Sequence, residues 1–207
     1  MTALPCDRPS SREVLSHDTV WSGRVFSMQE DRVRVVEGCD PVVRQYVGHT
    51  GAVAIVALRG EEGHEEVLLE RQYRHPVRAE LWEVPAGLLD VPGESPLAAA
   101  RRELSEEVDL AADTWDVLVD FFTSPGGSTE ALRVFLARDV HPTGQVFPRQ
   151  DEEATMEHLW LDLDGAVDAV LDGRIHNPSA VVGILAAHTS RARAWAGLRP
   201  TTAPWMR

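Results

Sequence analysis

The sequence predicts a mixed α/β (α+β) fold for this chain of 207 residues. Short runs rich in β-branched residues alternate with polar turns that contain glycine or proline, a pattern typical of strands. Ser95-Pro96 and Asn177-Pro178 mark the starts of two helices. In each pair the first residue can cap the helix, and proline has no N–H to leave unpaired. The length suits one domain with a small extension.

The elements are assigned in order along the chain. Two or three short strands are expected between Trp21 and Gln45, carried by the segments VRVVEG and VVRQYV. GAVAIVAL, at residues 51–58, is a candidate buried strand because it is continuously apolar. Further strands are predicted at 66–74, 81–87, 116–122, 131–137 and 156–163, and helices from Pro96 to about Asp109, at 164–172 and from Asn177 to about Trp195.

Composition excludes several classes of protein. The formal net charge of −13 and the pI near 5.0 argue against a nucleic-acid partner, which would need a basic surface. Cys6 and Cys39 are too few for a disulfide framework and suit a reducing compartment. No apolar run is long enough to cross a bilayer, and the first residues lack a signal-peptide core. We therefore expect a cytoplasmic protein without a membrane partner.

The most informative segment is the predicted helix that follows Ser95. Glu103 and Glu107 are four residues apart and lie side by side, which costs a helix roughly 0.2–0.5 kcal/mol. A divalent cation such as Mg²⁺ reverses the sign of that interaction, because it prefers carboxylate oxygens. A solvated acidic face is the simpler alternative. The opposite stripe, expected to face a core, consists of Leu97, Ala100, Arg101, Leu104 and Val108.

The whole segment from Gly87 to Leu110 resembles the Nudix box of the Nudix hydrolases. The matching positions are Glu94, a seven-residue spacer, Arg102, Glu103, Leu104, Glu106, Glu107 and Leu110. Two positions depart: six residues instead of five follow Gly87, and Asp109 replaces the second glycine. The resemblance implies the Nudix fold, a mixed β-sheet sandwiched between helices.

Features outside the box resemble the ADP-ribose pyrophosphatase group and its relatives that cleave nucleoside diphosphate sugars. They are the QYR that ends at Arg74, the LWEVPAG that ends at Gly87, and Pro125, fifteen residues past Leu110. The strand-rich N-terminal extension resembles the subdomain through which such enzymes form homodimers. This comparison divides the chain into a disordered N-terminus (1–14), an N-terminal β subdomain for dimerisation (15–48) and a Nudix hydrolase domain (49–207).

The resemblance also implies a metal site and a reaction. Glu103, Glu107 and the backbone carbonyl of Ala86 are expected to bind Mg²⁺, for which Mn²⁺ could substitute. Glu106 is a third carboxylate of the site and a candidate catalytic residue. Glu94 and Arg102 are expected to pair with each other and hold the loop. The metal would polarise a diphosphate and lower the pKa of a water molecule that attacks one phosphorus.

Four residues are candidates for binding the substrate: Arg74, Glu83, Gly87 and Glu130. Arg74 can offer forked donors to a pyrophosphate, although it could also be an ordinary surface cation. Glu83 could contact the base or ribose, or could form an unrelated salt bridge. Glu130 could approach the ribose or simply face water.

The general base is expected outside the box, in the polar loop that contains Asp151-Glu152-Glu153. In the resembling hydrolases the base comes from a mobile loop at this position. Glu153 is the first choice and Glu152 the second, and a solvated charge run is the alternative. Mg²⁺-dependent hydrolysis of ADP-ribose to AMP and ribose 5-phosphate is the leading hypothesis. Hydrolysis of another sugar nucleotide, such as ADP-glucose or GDP-mannose, and a non-catalytic ligand-binding domain are the alternatives.

Overall fold

A computed structural model describes residues 4–145 and 156–207 of the chain. In this part the strands are β1 (Glu13–Ser22), β2 (Phe26–Arg34), β3 (Val42–His49), β4 (Ala52–Arg59), β5 (Glu66–Arg74), β6 (Ala79–Glu83), β7 (Ala86–Leu88), β8 (Leu110–Phe122), β9 (Ala131–Pro142) and β10 (Glu157–Asp162). The helices are α1 (Pro96–Val108), α2 (Leu163–Leu171) and α3 (Pro178–Arg191). The predicted mixed α/β class is confirmed.

The first three strands form a separate antiparallel sheet in the order β1-β2-β3. β1 begins at Glu13, inside the stretch 1–14 that was expected to be disordered. The expected strand at VRVVEG is wrong beyond Arg34, where β2 ends. Val35 and Val36 are exposed there, and Gly38 takes a positive φ of 77°, which ends the strand pairing and turns the chain.

The remaining strands form one mixed sheet that positions the site. Its order is β10-β5-β4-β9-β8, with β6 paired to β5 and β7 paired to β4. β4 and β9 run parallel, while the other pairs are antiparallel. The two short strands β6 and β7 bring the LWEVPAG segment beside β5 and β4, directly ahead of the α1 helix.

Helices cover both faces of this sheet. Val53 and Ile55 of β4 pack with Leu104 of α1 in one core, and Ala54 and Val56 pack on the other face in the core that includes α2 and α3. Among the described residues, no helix is long and apolar enough to cross a membrane.

The ends of α1 follow the predicted chemistry. Ser95 Oγ accepts a hydrogen bond from the Ala98 N–H at 3.2 Å, and Pro96 is the first helical residue. Asp109 caps the other end in the left-handed conformation, with φ 57° and ψ 28°. The predicted apolar stripe is wrong at Arg101, which is exposed and lies over the Trp115 ring at 5.8 Å. Ala99, fully buried, belongs to that face instead.

Candidate active site

The centre of the candidate site is the contact between β7 and the acidic face of α1. The backbone N–H of Ala86 donates a hydrogen bond to Glu107 Oε2 at 3.2 Å. Glu107 is only 9% exposed, although it is charged and lies on a helix. β7 is held in turn by pairing with β4, where Ala86 lies opposite Ala54. The sheet therefore fixes the backbone segment against which the carboxylate rests.

Gly87 provides the space that Glu103 occupies. A Cβ atom on Gly87 would lie 2.0 Å from Glu103 Oε1 and 2.2 Å from Glu103 Cγ. Only a residue without a side chain allows the helix carboxylate to approach the strand so closely. Ala86, Gly87, Glu103 and Glu107, which the sequence proposed for metal and substrate binding, therefore lie together.

Arg102 connects three carboxylates of the box, those of Glu94, Glu103 and Glu106. Its guanidinium binds both oxygens of Glu94, at 3.0 Å each, so the predicted pair forms. It also donates to Glu103 Oε1 at 2.7 Å and to Glu106 Oε2 at 3.0 Å. The hydrogen bond from Arg102 is the main reason that the pKa of Glu94 is lowered, and the bond to Glu94 in turn raises the pKa of Arg102.

Burial and charge act in opposite directions on Glu103. Burial raises the pKa of its carboxyl group, the nearby Arg102 lowers it, and the neighbouring charges of Glu106 and Glu94 raise it further. A carboxylate whose charge is disfavoured by burial and by like charges gains from a positive partner. The site is thus electrostatically suited to a cation.

The carboxylates of the site suit a magnesium ion that takes most of its ligands from the substrate and from water. Within residues 4–145 and 156–207, no three His, Cys, Asp or Glu side chains converge closely enough to hold a metal by themselves. Mg²⁺ is usually held by one or two carboxylates plus substrate phosphates and water. Glu103, Glu107 and the carbonyl of Ala86 could supply such a partial set of oxygen ligands.

Arg74 and the buried Glu83 form an ion pair in the LWEVPAG part of the site. Arg74 Nε and Nη2 donate to the two carboxylate oxygens of Glu83 at 2.9 and 2.7 Å. The sequence left two roles open for Glu83, a contact to the base or ribose and a salt bridge, and the structure contains the salt bridge. The residue is 1% exposed, so a direct contact to a base or ribose would require this pair to open.

Glu130 lies at the junction with the N-terminal sheet. It accepts a hydrogen bond from Thr123 Oγ1 at 2.5 Å, and its other oxygen is 3.7 Å from His49 Nε2. It therefore has protein partners and does not simply face water. Glu152 and Glu153, the candidates for the general base, lie outside the described residues.

Two buried charged groups near the site were missed by the sequence analysis. Glu70 is 2% exposed and lies directly opposite Glu83 in the β5–β6 pairing. Arg133 is 3% exposed, forks onto Asp120, and binds the carbonyls of Ala203 and Pro204 in the C-terminal segment. The sequence signal for both is a charged residue inside an otherwise apolar strand. Such a residue is almost never fully buried without a partner, so it indicates an ion pair inside the protein.

The site is built from an acidic helix packed on a glycine-containing strand of a mixed sheet. Residues 48–180 match the NUDIX domain family. The chain belongs to the Nudix family and is a Nudix hydrolase.

Relatives with similar sequences carry three different names. An ADP-ribose pyrophosphatase of Mycobacterium tuberculosis is 42% identical over 194 residues, covering 94% of this chain and 91% of the relative. A methanol dehydrogenase activator of Bacillus methanolicus is 30% identical, covering 83% and 90%. A GDP-mannose pyrophosphatase of Yersinia pestis is 31% identical, covering 68% and 72%.

A solved structure also resembles this chain. It is the crystal structure of an ADP compounds hydrolase, with a TM-score of 0.71. The match covers 91% of this chain and 98% of that one at 21% identity, and it supports the fold alone.

Proposed function

We propose that this protein hydrolyses the diphosphate bond of ADP-ribose, giving AMP and ribose 5-phosphate, in the presence of Mg²⁺. The observation that carries the proposal is the packing of Glu103 and Glu107 against the Ala86–Gly87 backbone, with the Arg74 guanidinium nearby. This arrangement offers oxygen ligands to a cation and a forked cation to a diphosphate. The 42% identical relative named ADP-ribose pyrophosphatase supports the choice of substrate.

Each group has a defined task in this proposal. Arg74 binds the diphosphate with the N–H groups that Glu83 does not use, because a planar guanidinium matches phosphate oxygens. Glu103, Glu107 and the Ala86 carbonyl hold the metal. When bound, Mg²⁺ supplies charge neutralisation on the diphosphate and a lower pKa for attacking water. Mn²⁺ is the expected substitute.

The general base is proposed to be Glu153, with Glu152 as the nearest alternative. The support is its position in the acidic part of a long polar stretch of sequence that precedes β10. Glu106 is the third choice. Its side chain is 45% exposed, and it already accepts a hydrogen bond from Arg102, which holds it on the helix surface.

The N-terminal sheet is proposed to pair two copies of the chain. It exposes several large apolar side chains to solvent: Val14, Leu15, Val20, Trp21, Val42 and Val43. Such a patch is typical of an interface. The chain as a whole carries a formal net charge of −13, which favours a small-molecule substrate and disfavours nucleic acid. The unpaired Cys6 and Cys39 favour a reducing cytoplasm.

Release of AMP from ADP-ribose, measured with and without Mg²⁺, tests the activity. ADP-glucose and GDP-mannose are assayed in parallel, because the Yersinia relative named GDP-mannose pyrophosphatase makes another sugar nucleotide the second candidate. Metal-dependent AMP release with the highest kcat/KM for ADP-ribose is the expected result. A higher kcat/KM for GDP-mannose would transfer the proposal to that substrate. Binding of all three without turnover would indicate a non-catalytic domain.

A further inference from the structure

Arg74 is held by Glu83 in one orientation. The Nε and Nη2 atoms of Arg74 donate to Glu83 at 2.9 and 2.7 Å, which uses two of the five N–H groups of the guanidinium. The Arg74 side chain is 43% exposed, whereas the Glu83 side chain is 2% exposed. One edge of the guanidinium is therefore fixed to a buried carboxylate, while the side chain as a whole stays partly open to solvent.

The strand register explains which way the Arg74 side chain must point. Glu83 lies opposite Glu70, whereas Arg74 lies opposite Ala79, at the far end of the same β5–β6 pair. Four residues along a strand span roughly 13 Å. Arg74 can reach Glu83 only if its side chain lies back along the sheet, toward the interior and away from the hairpin tip.

The Arg74 guanidinium is within electrostatic reach of Glu107, one of the carboxylates proposed to bind the metal. The hydrogen bond to Glu83 is the largest cause of the raised pKa of Arg74, and burial opposes it. The charges of Glu83, Glu70 and Glu107 raise the pKa further, so the field of Glu107 reaches Arg74. Ala86, which donates to Glu107, ties that carboxylate to the same part of the site.

A stabilising role alone does not account for this arrangement. Glu70 and Glu83 are opposed on adjacent strands and both are buried, and like charges in that relation are unfavourable. Replacing a buried ion pair by apolar residues is often neutral or stabilising. The charge at Glu83 is explained if it serves the orientation of Arg74.

We propose that Glu83 is a positioning residue that turns the Arg74 guanidinium toward the substrate diphosphate before the substrate binds. This inference rests on the proposed function, in which Arg74 binds the diphosphate. Glu83 itself does not touch the substrate. Because the orientation is set in advance, binding does not have to restrict a free arginine side chain, whose ordering would otherwise oppose affinity.

A double-mutant cycle on Glu83 and Arg74 tests the proposal. The four proteins are the wild type, Glu83→Gln, Arg74→Gln and the double variant, each assayed for KM and kcat with ADP-ribose and Mg²⁺. Glu83→Gln is expected to raise KM by about tenfold to a hundredfold, the range for losing a hydrogen bond to a charged group, with a smaller change in kcat. In the Arg74→Gln background the same change is expected to alter KM by less than about twofold, because the two residues act as one unit.

Glu80→Gln is the matched control. Glu80 is on the same strand, faces the opposite side of the sheet, and its side chain is 63% exposed. It should leave KM and kcat unchanged. Because glutamine has nearly the same shape as glutamate, a purely steric role for Glu83 would leave the KM of Glu83→Gln unchanged as well.

Two outcomes would overturn the inference: a Glu83→Gln variant that behaves like Glu80→Gln, or an effect of equal size with and without Arg74. The same cycle is measured as the Kd of inorganic pyrophosphate with Mg²⁺, which does not depend on turnover. If the wild type releases no AMP from ADP-ribose but the pyrophosphate cycle shows coupling, the proposed substrate is wrong and the positioning role of Glu83 stands. If the pyrophosphate cycle shows no coupling, the positioning role is wrong whatever the substrate.

Discussion

Replacing Gly87 by alanine would test whether the close approach of Glu103 to β7 is needed for activity. The added Cβ would lie 2.0 Å from Glu103 Oε1 and 2.1 Å from its Cδ. Gly87 is not among the glycines with positive φ, so alanine meets no backbone penalty there. The substitution therefore acts on one neighbouring side chain and leaves the backbone conformation of β7 acceptable.

The size of the expected effect follows from these distances. Carbon atoms in favourable contact are about 3.5–4.0 Å apart, so the Glu103 carboxylate must move by roughly 1.5 Å. Misplacing a group of an active site by about 1 Å can lower the rate about a hundredfold. We expect kcat/KM of the Gly87→Ala variant to fall by about a hundredfold or more, and the Mg²⁺ concentration that gives half-maximal rate to rise.

Stability should change less, because the atoms that must move, Oε1, Cδ and Cγ, all belong to one side chain, that of Glu103, and can move together by rotation about its Cα–Cβ bond. A cost of about 1 kcal/mol would lower the Tm by roughly 2–4 °C in a chain of this size. Gly165→Ala is the matched control: its Cβ would meet Asp162 Oδ2 at an ordinary 3.7 Å, in the first turn of α2 and outside the site. Steady-state hydrolysis at several Mg²⁺ concentrations and thermal unfolding are measured for both variants. Wild-type kinetics and Mg²⁺ dependence in Gly87→Ala would refute the assignment of Glu103 to the metal site.

Three further predictions concern the metal, the base and the assembly. Glu103→Gln and Glu107→Gln should each lower turnover by orders of magnitude. Both variants should stay folded by circular dichroism, because each change removes one of several carboxylates that repel each other. Unchanged Mg²⁺-supported hydrolysis would exclude that residue as a ligand. Glu153→Gln should lower kcat by about 10²–10⁴-fold with little change in the Kd of the substrate. Glu152→Gln, which removes the same charge one residue away, is the control. Equal, mild effects of the two changes, or a large loss in Glu152→Gln alone, would reject Glu153 as the base. In sedimentation experiments at micromolar concentration the protein should be a homodimer with residues about 15–45 in the interface, and an active monomer near 22.9 kDa would contradict this.

Local chemistry made α1 predictable almost to the residue. Ser95, Pro96 and Asp109 each determine a helix end through their own backbone or side-chain properties, without help from distant parts of the chain. The strand prediction at Val35 and Val36 failed because β-branched residues indicate strands only where a partner strand is available. Here β2 stops pairing at Arg34 and the chain turns.

The candidate site was predictable as a set of residues and less so as a set of contacts. Motif spacing gave the pair of Glu94 and Arg102, but the further bonds from Arg102 to Glu103 and Glu106 depend on side-chain directions around the helix. The burial of Glu70 beneath Arg74 required the β5–β6 register, which a single sequence does not specify. Contacts between elements far apart in the chain are the information that local pattern lacks.

Two arginines explain how this protein keeps so many carboxylates close together. Arg102 binds Glu94, Glu103 and Glu106. Arg74 binds Glu83, and its positive charge also interacts favourably with the carboxylate of Glu107. Without these guanidiniums the buried charges would cost several kcal/mol each, a large fraction of the total stability of a typical domain. The two arginines differ in what remains available. Arg102 makes four hydrogen bonds to carboxylates of the protein, whereas Arg74 makes two and keeps a side chain that is 43% exposed. The same electrostatic requirement that stabilises the fold therefore leaves Arg74 with unused donors, which under the proposed function are available to a diphosphate.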